Sequence, residues 1–99
     1  MGEEEVSTKA KKRSREAPEG MMHIRVHSPY QVYFDDPAIS ISAVNDTGPF
    51  DILPGHHKFL TLLNECELDI VTQDSQEKIK IARGIMFVKE DKVTVFLDI

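Results

Sequence analysis

Four histidines are the side chains of this sequence best suited to bind a metal ion. His23 and His27 lie in a segment with the alternation of a strand, whereas His56 and His57 follow a Pro-Gly turn. Zinc sites combine imidazole with thiolate or carboxylate ligands at regular spacing, and no such spacing surrounds these residues. We therefore predict no metal site. A free-standing ligand- or metal-binding module that uses the His56-His57 loop and a neighbouring histidine is the alternative.

The sequence contains no recognisable arrangement of catalytic residues. The serines lack the strand-to-helix context of a nucleophile, and the Gly48-Pro49 and Pro54-Gly55 turns lack the spacing of a phosphate-binding loop. Asp35-Asp36 precedes a proline, which favours a turn over an acid–base pair. We predict no catalytic residue, no cofactor and no small-molecule substrate, and hence a protein that is not an enzyme.

Composition narrows the possible partners further. The chain has 99 residues and a net charge of −5, which predicts one small domain and argues against nucleic acid as a partner. The single cysteine, Cys66, cannot form an internal disulfide; we expect a reducing compartment and a small apolar role for this side chain. No apolar run is long enough for a membrane span or a secretory signal, so any membrane contact is expected to pass through a partner protein.

The first twenty residues differ in composition from the rest. Three glutamates precede a basic cluster, and the only branched apolar residue is Val6. Such a segment cannot bury enough apolar surface to order itself, so we predict a disordered charged tail over residues 1–20 and a folded domain over 21–99. Contact between the basic cluster and an acidic lipid or nucleic acid is the functional alternative. The cluster comprises Lys9, Lys11, Lys12, Arg13 and Arg15.

From Met22 onward apolar residues alternate with polar ones, which predicts strands. Short strands at intervals of about 8–12 residues, separated by turns, indicate an all-β fold: a small two-sheet antiparallel sandwich of about 8–10 strands. In the first half we predict strands at His23–His27, Val32–Phe34, Ala38–Val44, Phe50–Leu53 and Lys58–Leu63, with Asp35-Asp36-Pro37 ending the second and Ile39 and Ile41 sharing a face.

Two hairpins are predicted in the last third. The first turns at Asp74-Ser75, which pairs Leu68 with Ile81 and Ile70 with Ile79. The second turns at Glu90-Asp91 and pairs Met86 with Val95 toward the core.

The second hairpin is apolar on both faces. Its outer face pairs Ile85 with Phe96 and Phe87 with Thr94. No helix is predicted to cover it, so the cover is either another strand of the same domain or a partner protein, with both readings open.

The loops on either side of strand Phe50–Leu53 carry polar residues. We expect these two loops to be neighbours at one end of a sheet and to form a partner surface. They comprise Asp46, Thr47, Gly48 and Pro49 in the first, and Gly55, His56, His57 and Lys58 in the second.

The order of these features resembles the N-terminal β-sandwich domain of the epsilon subunit of rotary ATP synthases, called delta in mitochondria. That family has a first strand ending in Thr/Ser-Pro, an apolar strand, and a Gly-rich run ending in Pro-Gly-His, followed by a Gly-Gly strand and Val-Thr-Val. The matching residues are Ser28-Pro29, Val32–Phe34, Gly48–His56, Ala82–Val88 and Val93–Val95.

The resemblance implies a non-catalytic rotor subunit of the central stalk, at the cytoplasmic face of an energy-transducing membrane, that couples proton flow to ATP synthesis. It implies binding to the membrane ring of c subunits, the c-ring, through the two loops. Together with the strand alternation, it makes Ile85, Phe87, Thr94 and Phe96 candidates for the surface that faces the gamma subunit.

Some residues depart from the family pattern. Pro49 stands where the family usually has an acid, Asp51 replaces a glycine, and His57-Lys58 replaces Ala-Pro. Arg83 replaces the first glycine of the Gly-Gly pair. The sequence printed here stops at Ile99, before the helical hairpin that follows the sandwich in many relatives; an excised domain and a protein without that hairpin are both open.

Overall fold

The computed structural model describes residues 18, 20–55 and 58–98. They form nine strands and no helix. None of them belongs to a helix of the length and apolarity needed to cross a membrane. Of the predicted tail, only Pro18 and Gly20 are described. The strands are β1 (Met22–His27), β2 (Val32–Ala38), β3 (Ser40–Asn45), β4 (Gly48–Ile52), β5 (Phe59–Leu63), β6 (Cys66–Val71), β7 (Gln76–Ile81), β8 (Gly84–Lys89) and β9 (Lys92–Leu97).

The strands form two sheets, which confirms the predicted β-sandwich. One sheet has five strands in the order β2-β1-β9-β8-β5, and the other has four in the order β4-β3-β6-β7. Neighbouring strands are antiparallel, as predicted, except for β1 and β9, which run parallel with Ile24 opposite Val93. The sequence pattern contains no signal for this pairing, because it joins the first strand to the last.

The core lies between the two sheets. Each strand contributes alternate residues to it, because successive side chains in a strand point to opposite faces. Ile24 and Val26 of β1, and Met86 and Val88 of β8, are fully buried. The other fully or nearly fully buried apolar residues are Met22, Ala38, Ile41, Ala43, Ile52, Leu63, Leu68, Ile70, Ile81, Val93, Val95 and Leu97.

Three predicted strand boundaries in the first half are wrong by two or more residues, and one of them is the start of β4, which lies at Gly48 and not at Phe50. Strand β2 does not end at Phe34; it continues through Asp35-Asp36-Pro37, with Pro37 opposite His23. β2 is an edge strand, where a proline is compatible with the ladder because one side of the strand has no neighbour. Ile39 lies between β2 and β3, outside both strands, and is 40% exposed, so it does not share the buried face of Ile41.

The register predicted for the first hairpin is shifted by two residues. Leu68 lies opposite Ile79 and Ile70 opposite Glu77, so the connection spans four residues, 72–75. The Thr72 backbone N–H donates to the Ser75 carbonyl at 2.8 Å, and the Thr72 hydroxyl accepts from the Ser75 N–H at 2.8 Å. These bonds close a wider loop than the Asp74-Ser75 turn that was predicted.

The second hairpin has the predicted register. Ile85 lies opposite Phe96 and Met86 opposite Val95. Glu90 and Asp91 have φ values of 50° and 62°, the left-handed conformation that a two-residue hairpin turn requires. Gly84 opens this hairpin at a close approach: a Cβ there would lie 2.8 Å from the Phe96 carbonyl oxygen, so a side chain would force the backbone to shift.

Candidate functional site

Five apolar side chains lie exposed on the outer face of the five-stranded sheet. We call this set the outer apolar face: Leu60, Leu62, Ile85, Phe87 and Phe96. Their exposed fractions are 66%, 68%, 43%, 38% and 42%, so no other strand among residues 20–55 and 58–98 covers them. Of the two readings of the second hairpin, burial by another strand of the domain is therefore wrong.

Strand register makes this face continuous. Leu60 lies opposite Phe87, and Leu62 lies opposite Ile85. Ile85 lies opposite Phe96 on the next strand. Directly opposed side chains in an antiparallel pair are close enough to touch, so three adjacent strands present one apolar surface. Thr94, the fourth residue predicted for the gamma-facing surface, lies beside it, opposite Phe87.

Leu60 and Leu62 were missed as surface residues. The run Phe59–Leu63 predicts a strand, but its faces cannot be assigned from the sequence, because only Thr61 interrupts the apolar residues. Pairing with the neighbouring strand β8 determines which side chains of β5 face outward. Leu63 is buried, and Leu60 and Leu62 point outward beside Phe87 and Ile85.

Histidines of β1 border the outer apolar face. The His27 ring packs edge-on against Phe96, with ring centroids 5.1 Å apart. The His23 ring nitrogen Nε2 hydrogen-bonds Asp35 of β2. The outer apolar face thus covers β9, β8 and β5 and is bordered by polar side chains on β1, while Val32 and Tyr33 of β2 are also exposed, at 48% and 37%.

The outer face of the four-stranded sheet is polar in contrast. The Ser42 hydroxyl donates to Asp51 at 2.6 Å, and the Gln76 side-chain amide donates to Asp69 at 2.7 Å. Asp69 also lies opposite Lys78. A hydrated face of this kind does not require a cover, so the two outer faces differ in their capacity to bind an apolar partner.

The two loops predicted to form one surface do not meet. Gly48 and Pro49, predicted as loop residues, instead open β4 and pair with Asn45 and Val44 of β3. Asp46 and Thr47 precede that strand and Gly55 follows it, so the two loops lie at its opposite ends. The prediction of neighbouring loops is therefore wrong: a single strand cannot bring both of its ends to one edge of the sandwich.

The turn of residues 46–47 lies beside the end of β5. The Asn64 side-chain amide donates to Asp46 Oδ1 at 3.1 Å, and the Asn64 backbone N–H donates to the Val44 carbonyl at 2.9 Å. Asn45 accepts from the Thr47 N–H at 3.0 Å. Gly48 has φ +119°, which favours glycine, and Pro49 is exposed. These bonds fix the turn against β5.

A groove of about 670 Å³ opens at the same end of the sandwich. It is lined by residues at the end of β5, the start of β8 and the end of β9, including Leu62, Ile85 and Phe96 of the outer apolar face. The Arg83 guanidinium and the Asp98 carboxylate form an exposed ion pair at its rim, 2.9 Å apart. The outer apolar face thus extends to the end of the sandwich that bears the Asn64–Asp46 bond.

The second loop lies at the other end. The Gly55 N–H donates to Asp91 Oδ1 at 2.7 Å, and the Asp91 carbonyl accepts from the His23 N–H at 2.9 Å. Lys58 precedes β5 and is exposed. His56 and His57 lie outside the described residues, so the alternative of a metal- or ligand-binding loop is not tested by this geometry.

Other reactive side chains give no site within the described residues. No three His, Cys, Asp or Glu side chains of these residues are grouped to hold a metal ion. Cys66 is partly buried against the core. Burial raises the pKa of the Cys66 thiol above its ordinary value, although a hydrogen bond with the Val44 backbone acts in the opposite direction. The thiol is therefore a weak nucleophile at neutral pH.

Comparison with solved structures agrees with this architecture. A chain in the cryo-EM structure of the Euglena gracilis mitochondrial ATP synthase matches 82% of this chain and 52% of its own length, with a TM-score of 0.74 and 15% identity. A chain in the Tetrahymena thermophila mitochondrial ATP synthase structure, described as central stalk and c-ring, matches 83% and 65%, with a TM-score of 0.68 and 15% identity. At such identity the likeness shows the fold.

Comparison with known sequences gives the family. The ATP synthase epsilon chain of Trichlorobacter lovleyi is 30% identical over 77 residues, which are 78% of this chain and 56% of that protein. The epsilon chain of Prochlorococcus marinus is 31% identical over 75 residues, covering 76% and 56%. This chain thus spans little more than half the length of these relatives. Residues 21–99 match the family described as ATP synthase, Delta/Epsilon chain, beta-sandwich domain, and the chain belongs to that family.

Proposed function

We propose that this chain acts as a non-catalytic subunit of the central stalk of a proton-translocating ATP synthase. In this role it binds the gamma subunit and the c-ring, and so couples proton flow to ATP synthesis as a peripheral part of a membrane-bound complex, on its cytoplasmic side. The family supports the role, since relatives are named epsilon chain and one structural neighbour is described as central stalk and c-ring.

The outer apolar face is the surface that we expect to bind the gamma subunit. It is continuous over β5, β8 and β9, while the opposite outer face is polar. Monomeric proteins rarely expose large contiguous apolar patches unless a partner covers them. Full burial of a Leu, Ile or Phe side chain contributes about 1.5–3 kcal/mol, so a few of these residues suffice for stable binding.

The decisive experiment is co-expression with the cognate gamma subunit followed by purification and titration. We expect a complex that Phe87→Ser and Phe96→Ser each weaken by roughly 10- to 100-fold in Kd, while the unfolding midpoint changes little. Lys80→Ser, on the polar outer face opposite Glu67, is the matched control and should bind as the native protein does. Absence of any complex at micromolar concentration would remove the proposed role.

For the c-ring we propose contact through the turn of Asp46 and Thr47 together with Gly48 and Pro49, the residues that open β4. The Asn64 side-chain amide joins this turn to the end of β5, and the outer apolar face reaches the same end of the sandwich. One end of the domain can therefore touch the c-ring while the adjoining face holds gamma. Gly55 and Lys58, at the opposite end of β4, form the competing contact, and with them His56 and His57.

A further inference from the structure

Strand β5 is an open edge of the five-stranded sheet. Its partner in the ladder is β8, and no described strand forms a ladder with the other long side of β5. The end of strand β3 approaches β5, where the Asn64 N–H donates to the Val44 carbonyl at 2.9 Å and the Asn45 side-chain amide donates to the Thr61 hydroxyl at 3.1 Å. Exposed edges offer unpaired backbone groups to any extended chain, so proteins commonly protect them with charges or proline. The composition of each edge strand therefore indicates whether pairing is prevented there.

The other three edge strands carry such protection. β2 contains Asp35, Asp36 and Pro37; β4 contains Pro49 and Asp51; β7 contains Glu77, Lys78 and Lys80. Strand β5 reads Phe-Leu-Thr-Leu-Leu and has neither a charge nor a proline. Its outward side chains Leu60 and Leu62 are also the most exposed members of the outer apolar face. Of the four described edges, the unprotected one is thus the one that borders the surface proposed to bind a partner.

The register shows which backbone groups this edge presents. In a two-residue hairpin the residues that close the turn, here Lys89 and Lys92, form a hydrogen-bonded pair. Hydrogen bonding alternates along an antiparallel strand, so Val88 and Met86 direct their backbone groups away from β9 and toward β5. Their partners there are Phe59 and Thr61.

It follows that the backbone groups of Leu60 and Leu62 point to the open side. At that side the Leu62 carbonyl accepts a 3.4 Å hydrogen bond from the Thr61 hydroxyl. By the same alternation the Leu60 N–H and carbonyl are directed to this side, where a sixth strand could pair with them.

We propose that the partner that covers the outer apolar face also adds an extended strand to β5. This inference rests on the proposed function, since it describes how the gamma subunit docks. The added segment would carry apolar residues at alternate positions, because only those residues would extend the surface of Leu60 and Leu62. Main-chain hydrogen bonds would fix its register, and the apolar contacts would add affinity.

Hydrogen exchange at single amides is the direct test. In the free protein the Leu60 amide should exchange freely, while the Thr61 amide is protected by β8. In the complex with co-expressed gamma subunit, the Leu60 amide should become protected by at least about 100-fold, as a ladder bond requires. Packing of side chains alone leaves this amide unprotected, so unchanged exchange in a formed complex would overturn strand addition while the proposed function stands.

A matched pair of variants gives a second measurement. Leu60→Ala removes the side chain and keeps the N–H, whereas Leu60→Pro removes both; in the free protein neither loses a bond to β8. We expect Leu60→Pro to bind gamma at least about tenfold more weakly than Leu60→Ala. Equal Kd values would overturn the proposal.

These experiments also distinguish a gamma strand from other chains that could pair with the edge of β5. If the free protein already protects the Leu60 amide and sediments as a dimer, the added strand comes from a second copy, and the proposal of a partner strand is wrong. If no complex with gamma forms, the proposed function itself fails.

Discussion

The Gly55 N–H donates to the Asp91 side-chain oxygen Oδ1 at 2.7 Å, which joins the β4–β5 loop to the β8–β9 turn. Asp91 also makes a hydrogen bond to β1, because its backbone carbonyl accepts from the His23 N–H at 2.9 Å. One residue of a hairpin turn thus ties together the β4–β5 loop and the start of β1, at the end of the sandwich opposite Asp46.

Replacement of Asp91 should destabilise the domain. Asp91→Ala removes the acceptor for Gly55 and places alanine at φ 62°, so we expect the free energy of unfolding to fall by about 1–3 kcal/mol. Asp91→Asn keeps an oxygen acceptor and tolerates this φ, and should lose less than half as much. Urea unfolding measures both; equal losses would show that the bond to Gly55 contributes little.

Adjacent residues of β8 should differ in their effect on stability. Met86 is fully buried and Phe87 is 38% exposed. We expect Met86→Ala to lower the free energy of unfolding by about 2–5 kcal/mol, and Phe87→Ala by about 1 kcal/mol or less, because only the first opens a cavity. Thermal unfolding of the two variants checks the strand parity; a larger loss for Phe87→Ala would contradict an exposed outer face.

The Cys66 thiol should make stability depend on alkaline pH. Burial raises the pKa of Cys66 in the folded protein, so above the ordinary thiol pKa the unfolded chain loses this proton first. The native state then binds more protons, and the free energy of unfolding decreases as pH rises through the unfolded-state pKa. Native protein should lose more stability than Cys66→Ala between pH 8 and pH 10, and parallel curves would contradict the shift.

Cross-linking distinguishes the two ends of β4 as c-ring contacts. In a Cys66→Ala background, Thr47→Cys should cross-link to c subunits of the assembled synthase, whereas Lys58→Cys should not, because the two positions flank β4 at its opposite ends. Yield of the linked product on a denaturing gel is the measurement. The reverse pattern would move the c-ring contact to the Gly55 end.

The sequence predicted well those elements whose turns are short and local. The β8–β9 register follows from one two-residue turn, and it placed Ile85, Phe87 and Phe96 together correctly. The β6–β7 register was missed because the Thr72 hydroxyl closes a four-residue loop, a bond between a side chain and the backbone that alternation does not reveal. The β1–β9 pairing and the faces of β5 depend on distant strands, which a local pattern cannot specify.

The outer apolar face could be predicted only in part, because some of its residues lie in strands that are distant in sequence. Three of its five members lie in one hairpin, and the other two become part of it only when β5 pairs with β8. The opposite mistake was made for the loops around β4. Closeness in sequence suggested closeness in space, although a strand separates its two ends by its own length.

The parallel pairing of β1 with β9 has a consequence for synthesis of the protein. β1 is made before the other eight described strands, yet one of its two neighbours in the sheet is β9, which is made after all of them. Until β9 leaves the ribosome, one edge of β1 stays open, and Ile24 and Val26 lack the strand beside them that completes the core. Pairing between distant segments folds slowly, so the nascent chain passes through a period in which its apolar strands are unprotected.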